Sequence, residues 1–311
     1  MKLSHVTSRY RKIFLCGSAG NGKTVGAASF PGSTYWFDFD DGLESIQTYY
    51  GKVDPSRIEA IDYDTYNDPI PEKPIAYKAF EKKVTEFQEY VKKHGRMPFD
   101  NIVLDSLTTL QTCLTHYIKV SNPDSGKRVF GNVNNLQDYL ILGHFLKELF
   151  PEFLALPCNV IVTAHVKTTN DDTGAIYRDP LVTGKDLPEL IPLWFSEAYY
   201  CVTGSSASDP KDKTIQYLWQ FRPDKKVRWA KSRMLPANHP SPTLAGYVET
   251  TSKFTKWKAA ADNLTPTGKE DAATTTADMK AAATSVGIDM SKASANDAPA
   301  HVINNGKAAG D

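Results

Sequence analysis

The stretch GSAGNGKT, residues 17–24, lies between the apolar run KIFLC and the segment VGAASF. Its pattern is Gly-x-x-x-x-Gly-Lys-Thr, placed after a short predicted strand and at the head of a predicted helix, which is typical of a loop that binds phosphate groups. Glycine lets backbone N–H groups turn toward an anion and approach it closely, since no Cβ obstructs them. The following helix adds unpaired N–H groups and the positive end of its dipole. The stretch therefore predicts nucleotide binding.

We expect one contiguous run of residues to contact the nucleotide. The run comprises Gly17, Ser18, Ala19, Gly20, Asn21, Gly22, Lys23, Thr24 and Val25. By analogy with such loops, the Lys23 ammonium reaches the outer phosphates and the Thr24 hydroxyl binds Mg²⁺. A glycine-rich turn without a ligand is the alternative interpretation. The predicted cofactors are ATP and Mg²⁺.

The composition indicates a soluble protein with one sizeable core, since 41% of its 311 residues are hydrophobic. Lysine plus arginine and aspartate plus glutamate number 36 each, so no overall basic field indicates nucleic acid or membrane. The sequence has no long apolar run and no signal-peptide pattern, which predicts a cytoplasmic location without membrane contact. The cysteines are far apart and are expected to be reduced core thiols: Cys16, Cys113, Cys158 and Cys201.

Apolar runs of strand length alternate with helical patterns along the chain. Strands are predicted at KIFLC (12–16), TYWFDF (34–39), RIEAID (57–62), NIVLD (101–105) and NVIVTAH (159–165), and helices at 77–93 and 136–156. This alternation predicts an α/β fold, with a mostly parallel sheet covered by helices on both faces. After Pro192, the runs EAYYCVTG, KTIQYLWQF and KVRWAKSRM predict consecutive late strands that make this part of the sheet antiparallel or mixed.

The run NIVLD ends in Asp105. A P-loop ATPase needs a carboxylate at the tip of a neighbouring strand to hold the water shell of Mg²⁺, and Asp105 fits that role. A cap for the helix that follows is the alternative, although Ser106 would serve equally well as that cap. Because Ser106 stands where AAA+ machines typically have glutamate, the group that orients the attacking water must come from elsewhere.

With these features, the core from about Ser8 to Pro236 resembles the RecA-like recombinase ATPases, and within them the phage ATPases associated with single-strand annealing. In such proteins the strand after the P-loop helix ends Asp-x-Glu, and the glutamate polarises water. Here the run DFDDG, residues 38–42, places Asp40 at the position of the glutamate, with Asp41 as the other candidate. An aspartate side chain is shorter than the glutamate of the family, and because of this departure we expect slow hydrolysis. An acidic strand end that caps a helix is the alternative.

The resemblance also implies two DNA-binding loops. His165 ends NVIVTAH where RecA-like proteins have a polar residue that senses the γ-phosphate and leads into the second loop, here residues 167–186; residues 121–135 take the place of the first. Both loops carry cations and aromatic rings suited to phosphate contact and base stacking. These residues are Lys127, Arg128 and Phe130 in the first loop, and Lys167, Tyr177, Arg178 and Lys185 in the second. Ordinary solvated surface charge is the alternative, because aspartates dilute the basic residues.

The run RWAKSRM carries two further basic residues, Lys231 and Arg233. Period-two spacing on a predicted strand puts both on one face. RecA-like proteins place basic side chains in this region that reach the γ-phosphate of a neighbouring subunit, as an arginine finger does. Two cations that simply extend into solvent are the alternative. The resemblance thus implies a homo-oligomer, either a ring or a filament.

The sequence and the resemblance together predict an ATPase that binds single-stranded DNA and promotes annealing or strand exchange in the bacterial host of a phage. A single-strand DNA-binding protein is a further candidate partner. The alternative function is a P-loop assembly or loader ATPase that acts on a protein partner without contacting DNA. We expect residues 1–260 to form the RecA-like ATPase domain. Residues 261–311 have few large apolar side chains and are expected to form a disordered tail.

Overall fold

The computed structural model describes residues 10–121, 136–184, 186–205, 215–235 and 243–245. Within these residues the strands are β1 Lys12–Gly17, β2 Thr34–Asp38, β3 Ile61–Thr65, β4 Asn101–Asp105, β5 Asn159–Asn170, β6 Ile176–Pro180, β7 Glu197–Ser205, β8 Ile215–Gln220 and β9 Thr243–Ala245. The helices are α1 Lys23–Ala27, α2 Leu43–Val53, α3 Ser56–Glu59, α4 Ala76–His94, α5 Leu107–Ser121, α6 Leu136–Ala155 and α7 Leu187–Trp194. The predicted tail, 261–311, lies outside the described residues, as do Lys127, Arg128, Phe130 and Lys185.

The strands form one mixed sheet in the order β3-β2-β4-β5-β1-β7-β8-β9, with β6 paired to β5 off this path. The pairs among β1, β2, β3, β4, β5 and β7 are parallel, whereas β6, β8 and β9 pair in antiparallel fashion. Strand β5 separates β1, which leads into GSAGNGKT, from β4, which ends in Asp105. The predicted α/β fold, with a mostly parallel sheet and late antiparallel strands, is confirmed.

Each face of the sheet buries its own hydrophobic core, because side chains alternate between the faces along a strand. On one face, Phe37 packs with Phe80 of α4 and Phe153 of α6. On the other face, Trp36 and Trp219 pack in the cluster that includes the residues of α1 and α2. Burial on both faces explains why the central strands read as continuous apolar runs.

The prediction of a strand at RIEAID is wrong for its first half. Residues 56–59 form the helical turn α3, and strand β3 begins at Ile61. The reason is Arg57, whose buried guanidinium donates to the carbonyl oxygens of Ala28 at 2.5 Å and Gly32 at 2.6 Å, and to Thr34 Oγ1 at 2.6 Å. These hydrogen bonds offset the cost of burying the charge and fix a turn at this position.

The prediction of a strand at KVRWAKSRM is also wrong. Its sheet pairing is limited to one isolated antiparallel bridge, between Lys231 and Ala198 of β7. Ser232 Oγ donates to Glu197 Oε2 at 2.5 Å and accepts the backbone N–H groups two and three residues later at 3.2 and 3.0 Å. The backbone N–H of Arg233 donates to the same carboxylate at 3.2 Å. The chain therefore turns around Glu197, and the period-two argument for Lys231 and Arg233 does not hold.

All four cysteines are buried and free, which confirms the prediction of reduced core thiols. Burial raises the pKa of the Cys158 and Cys201 thiols to about 12, so both stay protonated and unreactive near neutral pH. Across the part of the chain that the structure describes, no helix is both long enough and apolar enough to cross a membrane.

Candidate nucleotide-binding site

The predicted phosphate loop connects β1 to α1 at the carboxyl edge of the sheet. Gly20 and Gly22 have φ angles of +77° and +73°, a left-handed backbone that glycine adopts without a Cβ penalty. Gly22 is the N-cap of α1, and no side chain caps this helix. The N–H groups of its first turn are therefore available to an anion. The loop has the conformation that phosphate binding requires.

Neighbouring groups hold the loop in place. A Cβ on Gly17 would lie 2.6 Å from the carbonyl oxygen of Cys201 on β7, and Asn21 Nδ2 donates to the same oxygen at 2.8 Å. The Lys23 side chain is nearly buried, and its Nζ donates to the carbonyl oxygen of Ser18 at 3.0 Å. The ammonium thus extends from the end of the loop back to its beginning, as expected of the residue that binds the outer phosphates.

Thr24 and Asp105 face a common space. A Cβ on Gly42 would lie 3.7 Å from Thr24 Oγ1 and 3.8 Å from Asp105 Oδ2. Asp105 Oδ1 accepts a hydrogen bond from Thr163, whereas the buried Oδ2 has no hydrogen-bond partner within the described residues. A hydroxyl beside an orphaned carboxylate oxygen is a donor set that suits Mg²⁺. The two residues predicted to hold the metal therefore fit it.

The electrostatics of Asp105 favour the metal role over the capping role. Burial, with a smaller contribution from the charge of Asp40, raises the pKa of Asp105 to about 6, although the hydroxyls of Thr163 and Thr24 and the charge of Lys23 act in the opposite direction. A buried carboxylate without a cation is costly, and a divalent cation would offset that cost. The cap of α5 is Ser106, whose Oγ accepts the backbone N–H of Thr109 at 3.4 Å.

Asp40 and His165 meet at the same edge of the sheet, with His165 Nε2 3.4 Å from Asp40 Oδ2. Asp40 Oδ1 accepts hydrogen bonds from Ser106 Oγ at 3.0 Å and from Thr109. Burial raises the pKa of Asp40, but the hydrogen bonds from His165, Thr109 and Ser106 outweigh it and hold the pKa below its ordinary value. Asp40 is thus an ionised, fixed carboxylate, whereas Asp41 is exposed at a φ of +55°.

Sequence reasoning did not select Asp38 or Thr163 as site residues. The Cα of Asp38 is the register partner of Asp105, and the side chain is buried. Its Oδ1 accepts the N–H of Gly42 at 3.3 Å, while no described residue bonds to its Oδ2. Burial raises the pKa of this carboxyl. Strand alternation offered a signal, because Asp38 and Thr163 share the sheet face of Asp105.

A family model described as an AAA domain matches residues 9–234, a range that includes the phosphate loop, Asp40, Asp105 and His165. The chain belongs to this family. Its loop and strand-end carboxylate make it a P-loop NTPase. No curated protein matches the sequence closely enough to count as a relative. Among solved structures, flagellar accessory protein FlaH from Methanocaldococcus jannaschii is similar at 13% identity, covering 71% of this chain and 80% of FlaH, with a TM-score of 0.35.

In this AAA domain, β5 continues five residues past His165 and pairs with β6 as an antiparallel hairpin. The predicted second DNA loop is therefore largely regular structure. Lys167, Tyr177 and Arg178 all lie on the hairpin and are half-buried. Lys167 is the register partner of Asp179, which places opposite charges side by side.

A second basic segment of the AAA domain lies beside the hairpin. The carbonyl oxygen of Lys226 accepts the backbone N–H of Arg178 at 2.8 Å, and the Arg228 guanidinium lies 4.4 Å from the ring centroid of Tyr177. Lys225, Lys226 and Arg228 are all exposed. Sequence reasoning missed this segment because about fifty residues separate it from the hairpin. Only the tertiary structure joins the two.

Lys231 and Arg233 lie far from the phosphate loop of their own AAA domain. Lys231 bridges to Ala198 near the start of β7, whereas the loop contacts Cys201, about 10 Å further along that strand. Lys231 Nζ donates to the carbonyl oxygen of Leu193 at 3.4 Å. Burial lowers the pKa of Lys231, and the charge of Arg233 lowers it further. These two cations do not meet the nucleotide site within one chain.

Proposed function

We propose that this AAA domain hydrolyses ATP and couples hydrolysis to the binding of single-stranded DNA, for annealing or strand exchange in phage recombination. The course of β5 carries the proposal. The strand passes through the Asp40–His165 pair and continues without interruption into the hairpin that bears Lys167, Tyr177 and Arg178. A change at the γ-phosphate that moves His165 would therefore act directly on the hairpin.

In the proposed reaction, Lys23 and the N–H groups of α1 bind the phosphates of ATP. Thr24 and Asp105 would hold Mg²⁺, which would supply positive charge to offset that of the transferred phosphoryl group. Asp40 orients the attacking water, because its carboxylate is ionised and fixed by three donors. His165, paired with Asp40, lies where it can respond to the loss of the γ-phosphate. We expect slow turnover, since an aspartate reaches less far than a glutamate.

The proposed DNA surface consists of the hairpin and the neighbouring basic segment, residues 225–228. Exposed lysines of the segment can contact phosphates, and Tyr177 offers a ring for base stacking. The Arg228 guanidinium over Tyr177 combines a charge with a planar surface. Such a surface binds single strands without sequence preference, as annealing requires.

The test is the affinity for a fluorescent oligothymidine, measured by anisotropy over a range of salt concentrations. We expect the double variant Lys225→Ala/Lys226→Ala to weaken binding. The slope of log K against log salt concentration should become less steep by about 0.7 for each phosphate contact that is lost. The control Lys82→Ala/Lys92→Ala removes two exposed charges from α4 and should leave affinity unchanged. Equal weakening by both double variants would mean that the affinity depends on the net charge of the protein and not on this surface.

The proposal includes an oligomer in which Lys231 and Arg233 of one copy reach the nucleotide of the next. Its support is the position of the two cations, which lie away from the phosphate loop of their own chain. An arginine finger supplied by a neighbour acts in this way.

A P-loop loader ATPase that acts on a protein partner is the second candidate. This function is favoured because two cations of the hairpin already have partners within the chain and are therefore less available to DNA. Arg178 donates to Tyr200 at 3.1 Å, and Lys167 is the register partner of Asp179. ATP hydrolysis measured with and without single-stranded DNA separates the two functions. Stimulation supports the DNA function, and indifference to DNA with a response to a protein partner supports the loader.

A further inference from the structure

Tyr217 of β8 lies against the phosphate loop. A Cβ on Gly22 would lie 2.8 Å from Tyr217 Cδ1 and 3.3 Å from both Cγ and Cε1, so the ring contacts the loop backbone directly. The residue is nevertheless 39% exposed. Its hydroxyl makes no hydrogen bond to any residue that the structure describes. A large aromatic side chain therefore stands partly uncovered beside the proposed nucleotide site.

The position of Tyr217 along β8 relates it to both ends of α1. Alternation places Ile215, Tyr217 and Trp219 on one face of the strand. Trp219 is fully buried and stacks on Phe30, just past the end of α1, with ring centroids 6.3 Å apart. Tyr217, two residues nearer the carboxyl edge of the sheet, reaches Gly22 at the start of α1. Ile215 follows and is 60% exposed. The side chains on this face of β8 therefore change from buried to exposed toward the end of the strand that lies beside the phosphate loop.

A purely structural role does not account for this exposure. A ring that served only to fill the core would be covered, as Trp219 on the same face is. Covering Gly22 alone would require no more than an aliphatic side chain. The exposed part of the ring is a planar apolar surface adjoining a phosphate site, and the flat apolar part of a nucleotide is its base.

We propose that Tyr217 is the stacking platform for the purine base of the nucleotide bound in the phosphate loop. The inference rests on the proposed binding of ATP and adds the residue that receives the base. Lys23 and Thr24 take the outer phosphates, so the nucleoside is the part that remains to be held. Because stacking requires only a π face, this platform accepts adenine and guanine alike.

The test compares ATP with inorganic tripolyphosphate, which lacks a base, by titration calorimetry in the presence of Mg²⁺. We expect Tyr217→Ala and Tyr217→Leu to weaken ATP binding roughly 5- to 150-fold, the range for loss of one base–aromatic stack. Binding of tripolyphosphate should not change. Tyr217→Phe keeps the ring and should keep the wild-type affinity for ATP. Tyr49→Leu, at a tyrosine of α2 that is 40% exposed, is the matched control.

The leucine variant distinguishes stacking from packing, since leucine still covers Gly22 but has no π face. If both Tyr217 variants bind ATP as the wild type does, the inference is wrong. It is also wrong if they lose ATP and tripolyphosphate to the same extent, because the ring would then only shape the loop. If the wild type binds neither ligand, the proposed ATP function itself fails, and the stacking role fails with it.

Discussion

Replacing Asp105 by asparagine separates the cost of a buried charge from its use in binding metal. The carboxylate is almost fully buried, Thr163 bonds to one oxygen, and the other oxygen has no hydrogen-bond partner within the described residues. Asparagine has nearly the same shape and no charge. Its amide oxygen can still accept the Thr163 hydroxyl, and its amide N–H can donate to the nearby Thr24 Oγ1. We therefore expect Asp105→Asn to fold normally.

The pKa of Asp105 gives the size of the effect, since burial raises it from 3.8 to about 6. An acid whose pKa is higher in the folded state than in the unfolded chain stabilises the fold while it is protonated. That contribution is fully present below pH 3.8 and is lost as the pH rises through about 6. At about 1.4 kcal/mol per pKa unit, the ionised Asp105 costs the metal-free fold roughly 3 kcal/mol above pH 7.

The assay is urea unfolding of the wild type and Asp105→Asn at pH 4 and pH 8, with a chelator and without nucleotide. We expect the free energy of unfolding of the variant to rise by about 2 to 3 kcal/mol relative to the wild type between these pH values. With Mg²⁺ and ATP, the wild type should gain more stability than the variant, which keeps the phosphate loop but lacks the carboxylate expected to hold Mg²⁺, and turnover by the variant should fall more than its nucleotide binding.

A matched control is Asp62→Asn, at an exposed aspartate of β3, which removes a carboxylate that water already solvates and should not reproduce the gain in stability at pH 8. The reasoning is refuted if Asp105→Asn is less stable than the wild type at pH 8 without metal. It is also refuted if the difference between the two proteins does not vary with pH.

Three further predictions concern the reaction, the assembly and the tail. Asp40→Asn should bind ATP normally but stop hydrolysing it, because the water loses its carboxylate; if Asp41→Asn is the inactive variant instead, the wrong residue has been assigned. Arg233→Ala should retain ATP binding and lose DNA-stimulated hydrolysis. Mixing this variant with the Lys23→Ala chain should restore some activity, because some interfaces then pair an intact phosphate loop with an intact arginine finger. A mixture that co-assembles but stays inactive excludes a shared site. Deletion of residues 262–311 should leave the Tm nearly unchanged, since the segment has little to pack, and a large fall in Tm would show that it docks.

The sequence alone determined the phosphate loop, the strand-end carboxylate Asp105 and the class of fold. The loop can be read from GSAGNGKT because its chemistry depends on consecutive residues: glycines that permit left-handed backbone, then a lysine and a threonine at the start of a helix. Asp105 can be read because a strand-end carboxylate follows an apolar run. The layered α/β fold follows from the alternation of strand and helix patterns. These features are local, so they are visible in the linear order of the residues.

Predictions from local sequence patterns were wrong where hydrogen bonds to a buried polar group determine the course of the backbone. The first half of RIEAID reads as a strand but forms a turn, because the guanidinium of Arg57 is satisfied by carbonyl groups on another segment. KVRWAKSRM reads as a strand but turns around the carboxylate of Glu197. The free energy of satisfying a buried charge exceeds the differences in intrinsic propensity that such predictions depend on.

Only the tertiary structure decided which side chains meet at the site. The hydrogen bond from Thr163 to Asp105 and the pairing of Asp40 with His165 depend on the register of strands that are distant in the chain. The contact of Tyr217 with the phosphate loop depends on where β8 pairs beyond β7. Register is set by packing over the whole sheet, because a shift of one residue would move every buried side chain to the opposite face. No short stretch of sequence contains that information.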